Sequence, residues 1–184
     1  MNEQEKAAGA AGDKQVYRVL IKAPIETVWN TLVKTDDVLP FFFGAVCEVE
    51  DGQLAAGKRM RMVTPNRKYA SVVGEVTEFS PPHRYAHTFK FTQWDDDYCT
   101  VTYDLKETPE GVEFSLITTG VPAGTKTDKS MAQGGPFITQ NFKSLVEKGR
   151  PAFSGRMVMM LGPLMGMLTP SASKIENWPL RPQQ

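Results

Sequence analysis

Turn signals punctuate the chain at close intervals from Gly44 to Thr119, and no other feature narrows the fold so much. Asp51-Gly52, Gly57, Pro65-Asn66, Pro81-Pro82, Asp95-Asp96-Asp97 and Pro109-Glu110-Gly111 separate segments rich in β-branched and aromatic residues. Those segments are roughly 45–50, 58–64, 69–79, 84–92, 97–107 and 111–119. The links are too short for the crossovers that parallel strands need, so the six pair as an antiparallel meander. Residues 14–22, KQVYRVLIK, add a strand ahead of it, about seven in all.

Two helices flank the meander. Ile25, Val28, Trp29, Leu32 and Val33 fall at helical spacing behind Pro24, which suits a first helical position. Residues 136–149 repeat the pattern with Ile138, Phe142, Leu145 and Val146, opened by Pro136 and closed by Gly149. The expected organisation is a disordered tail at 1–13, a folded α+β domain at 14–150 and a Met-rich extension at 151–184.

Charge excludes several partners. Lys+Arg and Asp+Glu both number 21, so the formal net charge is zero. That argues against nucleic acid, whose binding needs phosphate neutralisation, and against docking on an anionic membrane. No run of about 20 apolar residues offers a transmembrane segment. Residues 1–13 lack the apolar core of a secretory signal, so a cytoplasmic location is expected, with Cys47 and Cys99 as buried free thiols.

Chemical motifs are sparse. His83 and His87, four apart on a strand, would sit roughly 13 Å from each other, too far to share a metal ion. Gly120 to Thr127 falls short of a phosphate loop, because Thr125 stands where the glycine before Lys126 should be. Asp95 to Asp97 read as a solvated turn. No cofactor and no metal are implied.

Three stretches nevertheless resemble a known superfamily. Val19-Leu20-Ile21-Lys22-Ala23-Pro24-Ile25-Glu26-Thr27-Val28-Trp29 resembles the opening strand-to-helix signature of the START-like (SRPBCC) superfamily. Gly74 to Tyr85, with Pro81-Pro82-His83-Arg84-Tyr85, resembles its mid-sheet stretch, and Asn141 to Glu147 the end of its last helix. Within the superfamily the chain is most similar to the branch named after the C-terminal domain of the heat-shock-ATPase activator. The resemblance implies a helix-grip fold, a curved antiparallel sheet wrapped around a long C-terminal helix. It also implies one of three functions: binding an apolar ligand between sheet and helix, an ATPase-activator or co-chaperone role, or cyclase- or hydrolase-like catalysis.

Strand alternation supplies candidate residues. Tyr85, His87, Phe89 and Phe91 share a face, matched by Cys99, Val101, Tyr103 and Leu105, then by Val112, Phe114 and Leu116. A cavity for a small apolar or aromatic molecule would be walled by Trp29, Phe41, Phe42, Phe43, Met60, Met62, His87, Phe89, Phe91, Tyr103, Phe114 and Phe142. The same residues read equally well as a filled core. An acid/base set would combine His87 and Tyr103 with an inward carboxylate, Glu75 or Glu78.

The extension is distinctive. Phe153, Arg156, Met157, Met160, Leu161, Leu164, Met165 and Leu168 follow a helical period, and Val158, Met159 and Met167 make the other face apolar too. A helix apolar all round should be buried, and Gly162-Pro163 should kink it. It reads as a lid over the cavity, as a homodimer or protein-partner surface through 153–168, or as a membrane contact.

Overall fold

A computed structural model describes residues 14–165 and 169–181; the expected tail at 1–13 lies outside them. Strand β1 (Lys14–Ile21) leads into helix α1 (Ile25–Leu32). Then come β2 (Val38–Leu39), β3 (Ala45–Val49), β4 (Arg59–Val63), β5 (Ala70–Ser80), β6 (Arg84–Phe91), β7 (Cys99–Thr108) and β8 (Gly111–Thr119). Helices α2 (Lys126–Lys148) and α3 (Phe153–Met165) follow. The eight strands form one sheet in the order β1-β8-β7-β6-β5-β4-β3-β2, every pair antiparallel. This is the α+β helix-grip architecture, with one strand more than expected: Val38–Leu39, a pairing of two residues with Val46 and Ala45, is too short to show a period.

The core lies between the inner face of this sheet and the helices. Helix α1 buries Ile25, Val28, Trp29 and Leu32, and Pro24 is its capping residue. Helix α2 departs further from expectation. It begins at Lys126, ten residues before Pro136, which lies inside it. The Thr125 hydroxyl accepts from Asp128 N at 3.2 Å, and the Asp128 carboxylate accepts from Gly124 N at 3.0 Å, so the near-miss phosphate loop is a helix cap. The Thr139 hydroxyl donates to the Gly135 carbonyl at 3.0 Å, beside the proline.

The extension does two things. Helix α3 is fastened to α2 by the buried Asn141, whose Oδ1 accepts from Gly155 N at 3.1 Å and whose Nδ2 donates to Ser154 Oγ at 3.2 Å. It is not buried as expected: Phe153 is 70% and Met160 67% exposed, and Met157, Met159 and Leu161 are exposed too. The helix runs on through Gly162-Pro163. Residues 169–181 then cross the opposite, outer face of the sheet, where Ile175 and Trp178 pack on Val46, Val63, Ala70 and Val73. Arg61 Nη1 donates to the Trp178 carbonyl at 2.7 Å, and the Thr92 and Ser173 hydroxyls bond at 2.8 Å. This strap therefore does not cover the interior as a lid would. No helix among the described residues is long and apolar enough to cross a membrane.

Candidate ligand site on the inner face of the sheet

Strand register decides which side chains look at α2. One row across the sheet runs Val76, His87, Val101, Thr118 and Gln15; the next runs Phe79, Tyr85, Tyr103, Leu116 and Tyr17. Tyr85 and Tyr103 stack at 5.4 Å between ring centroids, and the His87 ring lies 5.3 Å from Tyr85 and 5.9 Å from Tyr103. The stack continues from Tyr103 to Phe114 at 6.1 Å, to Phe142 of α2 at 4.6 Å and to Phe41 at 4.8 Å. On the other side Phe79 links Tyr85 to Trp29, with centroids 6.0 and 5.4 Å apart.

His87 is fully buried in this wall. Its Nδ1 lies 2.8 Å from the Thr88 carbonyl oxygen. A carbonyl can only accept, so Nδ1 carries the proton and Nε2 is a bare acceptor. Burial pushes the imidazole down to about 4, with the Thr88 bond opposing it, so the ring is neutral at pH 7. The carbonyl reaches His87 because Gly74 stands opposite: a Cβ there would come within 1.8 Å of Thr88 O. Glu75 N donates to Thr88 Oγ1 at 2.9 Å beside a register shift between Val76 and Glu78. Gly74 and Thr88 thus set the His87 tautomer, and sequence reasoning missed both. The signal was a glycine inside a strand.

Three buried side-chain atoms lack a hydrogen-bond partner among the described residues: Tyr85 Oη, His87 Nε2 and Thr118 Oγ1. All three belong to the two inner-face rows. The titratable groups beside them are neutral. Burial raises the Tyr85 and Tyr103 phenols, with Cys47 adding to both. The Cys47 thiol is pushed up to about 12, first by burial and then by Asp36 and Glu48. Cys47 and Cys99 are both free and buried.

Most of the residues expected to line a cavity come together in the core. Trp29, Phe41, Phe42, Met60, Met62, Phe89, Tyr103, Phe114 and Phe142 are buried in one cluster, and the buried His87 ring lies against Phe89 and Tyr103. Phe91 is half-buried at its rim, edge-on to Phe89 at 4.8 Å and to Trp94 at 4.9 Å. Phe43 is a correction. Its backbone is left-handed, with φ 54°, and this turns the side chain outward, 47% exposed and flat against Phe137. The acid/base set also loses its carboxylate. Glu75 is exposed, and Glu78 pairs with Arg84 at 2.9 Å. His83 is an exposed turn residue. An open pocket of about 400 Å³ lies elsewhere, on the outer face, between Arg59, Glu75, Tyr98 and Trp178.

Comparison with known proteins follows the fold. A family profile described as Activator of Hsp90 ATPase homolog 1-like protein matches residues 22–147. Among solved structures, an HSP90 activator from Plasmodium falciparum is 23% identical with a TM-score of 0.55, the match covering 76% of this chain and 99% of that one. A Mesorhizobium loti protein is 19% identical with a TM-score of 0.60, covering 73% and 97%. A Chromobacterium violaceum protein is 20% identical with a TM-score of 0.56, again covering 73% and 97%. No curated protein matches the chain.

Proposed function

The chain belongs to the family of Activator of Hsp90 ATPase homolog 1-like proteins, and from that premise we propose that it is a cytosolic binding protein for a small apolar or aromatic molecule held between the sheet and α2. The observation that carries this reading is the unmet hydrogen-bonding demand of Tyr85, His87 and Thr118 inside an otherwise aromatic wall. A buried donor or acceptor left without a partner costs about 1–3 kcal/mol. An apolar wall with a few such handles is the usual make-up of a small-molecule site.

Methionine methyl labelling tests it. Met60, Met62 and Met131 report on the interior, whereas Met157, Met159 and Met160 report on the exposed part of α3. Titration with small alkylbenzenes and alkylphenols should shift the first three resonances saturably and leave the others in place. Shifts confined to the α3 methyls would sink the interior site.

A second reading has its own observation. Phe153, Met157, Met160 and Leu161 of α3 leave apolar surface in water, which fits a protein-interaction module of the activator or co-chaperone kind. In the same labelled sample, a heat-shock ATPase would then move the α3 methyls and spare Met60.

A further inference from the structure

The polar atoms in the inner wall differ in kind, and the difference selects a ligand. We propose that the site takes an uncharged ring compound bearing a hydroxyl group, a phenol or a close equivalent, whose O–H donates to His87 Nε2 while its oxygen accepts from the Tyr85 hydroxyl. This rests on the interior-binding reading above and deepens it.

Each half follows from geometry. The Thr88 carbonyl occupies His87 Nδ1, so Nε2 can only accept. Tyr85 Oη has no hydrogen-bond partner among the described residues, and its proton can point at an acceptor. The two ring centroids lie 5.3 Å apart, on neighbouring inward positions of β6. A hydroxyl is the smallest group that donates and accepts at once. A plain hydrocarbon would leave both atoms unmet. A carboxylate would set negative charge against the Nε2 lone pair, beside Cys47 and Tyr103, with no buried Lys or Arg among the described residues to receive it. An aromatic ring suits a wall built from Tyr85, Tyr103 and Phe114.

The test compares three probes of nearly one shape: 4-ethylphenol, ethylbenzene and 4-ethylbenzoate. On the full chain, 4-ethylphenol should bind about tenfold or more tighter than ethylbenzene, and 4-ethylbenzoate weakest. Tyr85→Phe, which removes one orphaned oxygen and keeps the ring, should cut that preference several-fold. The nitrogen-15 resonance of His87 Nε2 should move toward the hydrogen-bonded position with 4-ethylphenol only. Equal affinities for phenol and hydrocarbon, a preference for the benzoate, or an unmoved Nε2 resonance would overturn the assignment while leaving an apolar interior site standing. Binding of neither uncharged probe would remove the interior site itself, and this assignment with it.

Discussion

At the scale of residues, Gly74 and His87 meet at one carbonyl, that of Thr88. The oxygen lies where a side chain at position 74 would otherwise be, and it holds the imidazole. Gly74→Ala must therefore displace backbone, not a flexible side-chain end. We expect a loss of about 2 kcal/mol or more, read by urea unfolding, together with a changed nitrogen-15 tautomer pattern at His87. A loss of stability with an unchanged tautomer would break the proposed link. The imidazole also makes stability depend on pH. It stays neutral in the fold down to about 4, whereas unfolded histidine protonates near its ordinary value of 6.5. Between those values the unfolded chain binds a proton that the fold refuses, so stability falls as the pH drops from 6.5 towards 4. The full effect is about 3 kcal/mol. His87→Gln should lose that portion of the dependence, seen as a smaller difference between urea midpoints at pH 7 and pH 4.5. Identical pH dependence in both proteins would refute it.

At the scale of elements, α2 shows where the fold was legible in the sequence and where it was not. The meander was readable because its turns carry Gly, Pro and Asp, and its strands alternate. The second half of α2 was readable because Ile138, Phe142, Leu145 and Val146 share a face. Its first half was not, because what it buries is Thr127, Met131 and Gly135, a helical period in which only Met131 is a large apolar residue. Pro136 then imitates a helix start. The Thr125–Asp128 cap was the available signal. Two neighbouring glycines now give opposite predictions. A Cβ at Gly135 would lie 2.2 Å from the Tyr17 ring, whereas one at Gly134 meets nothing nearer than Phe43 Cζ at 4.0 Å. Gly134→Ala should stabilise by about 0.5–1 kcal/mol through helix propensity. Gly135→Ala should destabilise by about 1–3 kcal/mol, since the Tyr17 ring must move. Thermal melts of the two variants decide it, and shifts of the same sign would show that α2 does not press on Tyr17.

At the scale of the whole molecule, the outer face of the sheet has a cover of its own over β3, β4 and β5, the strap at 169–181. Strand β3 carried a trace of this in Val46, an apolar residue at an outward position. One of the three readings placed a lid in the methionine run, although Phe153, Met157, Met159, Met160 and Leu161 are exposed and the apolar residues that land on the sheet are Ile175 and Trp178. Which apolar segment is buried depends on where a vacant face lies, and that is a property of the assembled sheet, not of the segment. The candidate site was legible to the same extent: the inward aromatics follow from alternation, but the backbone turn that aims Phe43 outward does not. Strap and site lie on opposite faces, so they should be separable. Ile175→Ala with Trp178→Ala uncovers Val46, Val63, Ala70 and Val73 and should cost about 2 kcal/mol, measured by thermal unfolding of the full chain. The affinity for 4-ethylphenol should stay within twofold of the parent protein at a temperature where both are folded. A large loss of affinity would mean that the outer cover shapes the inner wall, and the strap would then act on the site through the sheet that separates them.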